Sequence, residues 1–224
     1  MNREQNRSTR LYIGAFVACV VSSALSIAFV DRAVATWSHA TLGQAAPFVW
    51  LTHIIDPFVP AASIGLVIIT IGAVFGWRPG PFGRILIALC IAVLIATVLK
   101  EELKFLFGRT WPETWVGNNP SWIKDGIYRF EPLHGGRGWA SLPSGHMALI
   151  AAPCTVLWLL APRIWRWLCG ILVAAMAIGL VGADFHFVGD MIAGTFLGWA
   201  CGVGAVTLTH GLITPPEAPQ RVRP

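Results

Sequence analysis

Apolar residues along this chain fall in long uninterrupted runs, and charged residues are confined to the gaps between them. A helix that crosses a bilayer needs about 20 consecutive apolar residues, with roughly 17 to 25 the usual range. Six runs meet or approach that length: Leu11–Val30, about Pro57–Trp77, Ile85–Leu99 with an extension past Lys100, about Ser144–Ala161, Leu168–Ala183 and Met191–Thr209. The third and fifth are short, a mismatch that snorkelling flanks and local thinning of the bilayer accommodate. The pattern predicts an all-α fold, a six-span transmembrane helix bundle.

Two stretches need separate reading. Basic residues before the first run, followed by Ala33-Val34-Ala35, imitate a cleavable signal peptide. The run is longer than the 7 to 15 residues of a typical signal core, and Asp31-Arg32 intervenes, so an uncleaved span is expected. The segment Ala33–Ile55 lacks formal charges, but Ser38, His39, Gln44, Pro47 and His53 make it a poor spanning candidate. It reads as a loop or interfacial segment. The proline-rich tail from Thr214 reads as disordered. The expected organisation is a cytoplasmic N-terminal segment over residues 1–10, one transmembrane domain over 11–213 and a cytoplasmic tail over 214–224.

Composition narrows the class. The 224 residues suit one domain, and 55% hydrophobic and 12% charged content exclude an ordinary soluble globule. Eleven Trp residues fit membrane interfaces. The net charge of +5 is scattered in short clusters with no basic stripe interleaved with aromatics, so no nucleic-acid partner is expected. Cys19, Cys90, Cys154, Cys169 and Cys201 all lie in apolar runs without metal-ligand spacing and read as buried free thiols.

Orientation follows from Lys and Arg in short loops. Arg3, Arg7 and Arg10 precede the first span, Arg78 and Arg84 separate the second and third, Arg163 and Arg166 the fourth and fifth, and Arg221 and Arg223 lie in the tail. The opposite side has Arg32 and no basic residue between Asp184 and Asp190. Both termini are therefore expected in the cytoplasm, as in a multi-pass protein of the cell inner membrane. The long Lys100–Pro143 loop falls on the outer side.

The chemically interesting residues gather on that outer side: Lys104 and Arg109 after the third span, Ser144-Gly145-His146 opening the fourth, and His186 with Asp190 around the start of the sixth. Pro143 and Ser144 are helix-start signals, Gly145 allows close backbone approach, and a helix N-terminus suits a phosphate. An ordinary cap followed by a surface histidine is the blander reading. His186 and Asp190 are spaced i, i+4, so on a helical turn they share a side and the carboxylate can hold one imidazole nitrogen, leaving the other as nucleophile or base. A metal pair is the rival, but no further ligands at suitable spacing accompany it. Lys104 and Arg109 are either snorkelling cations or a clamp on phosphate oxygens, for which Arg has the better fork.

These residues resemble the type-2 phosphatidic acid phosphatase superfamily, which includes bacterial lipid phosphatases and vanadium haloperoxidases. The family has three motifs, Lys-x6-Arg-Pro, Pro-Ser-Gly-His and Ser-Arg-x5-His-x3-Asp. Here the second is complete as Pro143 to His146, the third keeps His186 and Asp190, and the first keeps Lys104 and Pro112. The resemblance implies a lipid phosphate or pyrophosphate phosphatase whose active site faces outward. It also implies that His186 attacks phosphorus, Asp190 orients it, and His146 protonates the leaving oxygen. Lys104, Ser144 and the Gly145 N–H would hold the phosphoryl oxygens, with no cofactor and no metal.

The chain departs from the motifs at two places. Trp111 stands where the first motif has Arg, and Gly179-Leu180 where the third has Ser-Arg. Arg109 is the nearest substitute cation, with Arg129 and Arg137 as further candidates. The departures leave open a catalytically impaired relative that binds lipid phosphate or serves as a scaffold. An intramembrane serine protease built on Ser144 and His186 is the remaining alternative, and it has no use for Asp190, Lys104 or Arg109.

Overall fold

A computed structural model describes residues 3–115 and 117–213, with side chains for 9–115 and 117–209; the tail expected to be disordered lies outside the described residues. All the regular elements among these residues are helical. Helix α1 (Arg3–Leu25) passes through a π-helical turn (Ser26–Val30) into α2 (Asp31–Leu42), and α3 (Ala46–Thr52) leads through a 3-10 turn to α4 (Phe58–Val74). Then follow α5 (Pro81–Phe107), the short α6 (Trp122–Asp125), α7 (Gly145–Leu160), α8 (Ile164–Gly182) and α9 (Val188–Ile213). The six apolar runs are six helices. Five helical stretches have the length and hydropathy to cross a bilayer, and α7, with 16 residues, is a shorter apolar helix.

The segment 33–55 corrects the expectation of a loop. Three of its polar residues, Ser38, His39 and Gln44, find partners at the end of α8 and just beyond it. Ser38 Oγ donates to Val181 O at 2.5 Å, and Gln44 Nε2 donates to Asp184 Oδ2 at 3.3 Å. His39 Nδ1 lies 2.9 Å from the same carboxylate oxygen. Between α2 and α3 the chain turns at Gly43 and Gln44, with φ of +57° and +56°, the first of which a glycine adopts without strain. Asp31 does not mark the end of a span either: it is 1% exposed, inside the continuous helical rod.

The centre of the bundle is α9 laid against α7, with α5 packed on both. Glycines at every fourth position of α9 allow the close approach. A Cβ at Gly194 would sit 2.3 Å from Ser144 O, one at Gly198 2.4 Å from Ala148 O, and one at Gly202 2.6 Å from Thr155 Cβ. Ala148 and Ala152 on α7 are fully buried beneath this stripe. Small residues facing one another are how apolar helices pack where no water drives them together. The outward sides of α1, α4 and α8 expose Phe16, Ile68 and Ile171, as hydrocarbon-facing helices do.

Candidate active site

Three chain segments converge at one end of the bundle. Helix α5 runs on past Lys100 to Phe107, carrying Lys104 in its last turn, and stops at Gly108, whose N–H bonds Lys104 O at 2.8 Å. Its φ of +55° and the Glu131 O, 1.7 Å from any Cβ placed there, demand glycine. The N-terminus of α7 is capped by Ser144, whose Oγ accepts the Met147 N–H at 3.3 Å. The Ser144 N–H donates to Asp190 O at 3.0 Å, which locks the start of α7 to the start of α9.

His186 lies just ahead of α9, with its Nδ1 3.5 Å from Asp190 Oδ2, at the long limit of a hydrogen bond. By geometry this nitrogen has no formed hydrogen bond among the described residues, Asp190 being its ion-pair neighbour. Asp190 Oδ2 also accepts from Ser141 Oγ at 2.5 Å and from the Phe187 N–H at 3.1 Å, so the carboxylate is fixed before it meets the imidazole. A proton on Nδ1 facing Asp190 would leave the lone pair at Nε2. Burial holds the His186 pKa below the usual histidine value, with the Asp190 carboxylate acting in the opposite sense. The His186 ring is 5.8 Å from that of His146 and 5.0 Å from that of Trp111.

Beside these rings is a cavity of about 380 Å³ lined by Lys104, Arg137, His146, Trp111, Trp115 and Phe185, with Glu101, Asn119 and Ala140 completing the wall. A Cβ on Gly145 would lie 3.0 Å from Lys100 Cδ and 3.4 Å from Lys104 Nζ, so the missing side chain lets the α5 ammonium groups approach the N-terminus of α7. The cavity thus has cations and aromatic rings on its walls, one histidine facing it and a second directly behind. Such a wall can bind an anion and carry out nucleophilic and acid–base chemistry on it. No group of three or more His, Cys, Asp or Glu side chains placed to hold a metal ion occurs among the described residues.

Of the residues singled out in the sequence, Lys104, Arg137 and His146 line the cavity, His186 and Asp190 stand behind it, and Ser144 and Gly145 open α7. Arg129 turns away, 3.0 Å from Glu131 and stacked on Trp139. Arg109 is the correction. Its side chain is 1% exposed and is not part of the cavity wall. It pairs through Nη1 with Asp190 Oδ1, and through Nη2 with Asp31 Oδ2 at 2.6 Å and Tyr128 Oη at 2.6 Å. Burial alone would lower its pKa, but the adjoining Asp190, Tyr128 and Asp31 outweigh that and raise it. A guanidinium cannot discharge itself, so once buried it goes where the carboxylates are.

Sequence reasoning missed Asp31, Ser141 and Tyr128. Asp31 carries the one available signal, a charge abutting an apolar run, and that signal also marks the edge of a span. The two vacated motif positions have structural occupants. Trp111 sets its ring by His186 and donates Nε1–H to Arg137 O at 2.7 Å. Leu180 is fully buried in the core, and beside it Gly179 leaves space for α3, where a Cβ would lie 2.7 Å from Leu51 Cβ.

Residues 85–213 match the PAP2 superfamily. Over 116 residues the chain is 33% identical to an undecaprenyl-diphosphatase of Sulfolobus acidocaldarius, a stretch that covers 51% of this chain and 50% of that protein. The chain therefore spans about half the length of this curated relative. No solved structure matches it.

Proposed function

The chain belongs to the PAP2 superfamily, and we propose that it is a membrane phosphatase that hydrolyses a lipid phosphomonoester or pyrophosphate through a phosphohistidine on His186. One observation carries this reading: His186 is set against Asp190 directly behind a cavity whose wall holds Lys104, Arg137 and His146.

The phosphoryl group enters between Lys104, Arg137 and the free N–H groups at the start of α7. Nε2 of His186 attacks phosphorus as the bond from phosphorus to the lipid oxygen breaks, and the imidazolium of His146 gives its proton to that oxygen. The lipid alcohol or lipid monophosphate departs. Neutral His146 then takes a proton from water as the water oxygen attacks phosphorus, the P–N bond breaks, and inorganic phosphate leaves with His186 neutral again. The Nδ1 proton of His186 stays on the Asp190 side throughout. Fixed cations and N–H groups supply the charge stabilisation, so turnover should be indifferent to chelators.

The loop charges support an arrangement with both termini in the cytoplasm, in the cell inner membrane, and the cavity on the outer side. A site there meets lipids presented at the outer leaflet, and the name of the relative points to a polyprenyl diphosphate. A second reading, a relative that binds lipid phosphate without turning it over, draws on Trp111 and Leu180 at the two vacated arginine positions. Phosphate release from a panel of lipid mono- and diphosphates, with and without chelator, separates them. Release from at least one substrate in both conditions is expected. Binding without release would favour the second reading, and activity lost to chelator and restored by zinc would overturn the mechanism.

A further inference from the structure

Asp31 lies in the first helical rod, outside the matched segment 85–213. It is 1% exposed, and three donors converge on its carboxylate, with the Tyr128 hydroxyl beside them. Oδ1 accepts from Ser26 Oγ at 2.7 Å and from the Gly189 N–H at 2.8 Å. Oδ2 accepts from Arg109 Nη2 at 2.6 Å and lies 3.1 Å from Tyr128 Oη, whose one proton has a nearer acceptor in Ile27 O at 2.7 Å. Gly189 immediately precedes Asp190, and a Cβ there would lie 3.0 Å from Asp31 Oδ2, so the glycine is what admits the carboxylate to this place. A membrane boundary aspartate would need none of this. The bond to Gly189 and the guanidinium of Arg109 both lead to Asp190.

We infer that Asp31 is a positioning residue for the reaction: it holds Arg109 against Asp190 and keeps the buried layer behind His186 at a net charge of minus one. The inference rests on the phosphohistidine reading given above. Two carboxylates and one guanidinium make that sum, since burial, with the neighbouring carboxylates, keeps the Tyr128 hydroxyl protonated. As the phosphoryl group reaches Nε2, the His186 ring becomes cationic and needs a negative counter-charge at Nδ1. Arg109 opposed by Asp190 alone would neutralise that carboxylate. With Asp31 present, Arg109 is shared, and Asp190 keeps its charge for the imidazole. The other groups facing His186 are Lys104 of α5 and His146 of α7, both cationic when protonated, and the Trp111 ring. None of these supplies negative charge.

The test uses the full chain in detergent micelles with a polyprenyl diphosphate, following kcat, KM and the pH profile beside the melting temperature. Asp31→Asn keeps the size and the acceptor oxygen but removes the charge. It should leave KM near wild type and lower kcat by about 10-fold to 100-fold, the scale on which carboxylates behind metal-bound histidines act. With a negative charge gone, the His186 imidazolium is less favoured, so the acid limb of kcat should move to lower pH. Asp31→Asn combined with Arg109→Gln restores the net charge of minus one and should return the acid limb to the wild-type position. A purely structural role would shift the melting temperature and leave the pH profile unmoved, which overturns the inference. Should Asp31→Asn fail to accumulate, the double variant decides: a wild-type acid limb supports the inference and a displaced one overturns it. If His186→Ala is dead while Asp31→Asn behaves as wild type, this inference alone falls. If His186→Ala still releases phosphate, the underlying reading falls first.

Discussion

Two arginines of the loop between α5 and α7, Arg109 and Arg137, meet opposite surroundings. Arg137 lines the cavity beside Lys104, whereas Arg109 is buried between Asp31 and Asp190 with its guanidinium 4.5 Å from the Phe187 ring. Distance along the chain from the vacated motif position favours Arg109 as the phosphate ligand, and yet the local counter-charge decides otherwise. A cation that must be buried is held by the carboxylates that compensate it. A cation on a cavity wall remains available to an incoming anion. The same residue type thus serves as an internal tie in one place and, on the reading proposed above, as a substrate contact in the other.

The comparison can be broken most forcefully at Arg109. Arg109→Ala leaves Asp31 and Asp190 as two uncompensated buried carboxylates, and breaking a pair of this kind costs about 3–5 kcal/mol. Thermal melting in detergent should show a large loss of stability, with activity lost along with the fold. Arg137→Ala should do the reverse. The melting curve should stay within about 0.5 kcal/mol of wild type, while kcat/KM falls by about 10² to 10³-fold, the scale of one lost transition-state donor. Arg137→Lys should recover only part, because an ammonium lacks the planar fork. If Arg109→Ala melts as wild type but loses substrate affinity, the two assignments are reversed.

A smaller effect tests the packing that fixes the site from below. Gly198→Ala places a methyl group 2.4 Å from Ala148 O, and overpacking of this kind costs about 1–3 kcal/mol. Unfolding followed in detergent should show that loss, with activity reduced because α9 carries Asp190 and α7 carries His146. Gly204→Ala, with open space around its Cβ, is the control and should be near neutral.

The smallest expected effect is a displacement in pH. On the proposed mechanism neutral His186 is the attacking form, and burial lowers its pKa. Falling pH abolishes attack only where His186 takes up its proton, so its protonation limb should lie below the ordinary histidine value of about 6.5. Single-turnover phosphoenzyme formation, which isolates attack from product release, should persist below that value. A limb above it would mean that Asp190 outweighs burial in setting the proton on the ring.

What could be read in advance, and what could not, follows the same division between local and distant partners. The spans were legible because a run of apolar residues such as Ile85–Leu99 must become a helix in a bilayer. His186 and Asp190 were legible because a separation of four residues, across the start of α9, brings them within 3.5 Å. Arg109 was not, since its partner Asp31 is 78 positions away and imitates a boundary charge. The helical state of residues 33–55 was hidden for a similar reason: Ser38 and His39 look like loop residues until Val181 and Asp184 are beside them. Gly194, Gly198 and Gly202 were present as a pattern, but their purpose depends on which face of α7 they meet.

The central claim is that phosphorus passes through His186, and a covalent trap tests it most directly. The full chain is mixed with a lipid diphosphate labelled in the transferred phosphoryl group and quenched within one turnover in alkali, where phosphohistidine survives. The account predicts acid-labile label on the peptide containing His186, no label in His186→Ala, and in His146→Ala a slower rise and slower decay of the same labelled peptide. Steady release of phosphate by the wild type with no trapped label, or label on a peptide lacking His186, would contradict it.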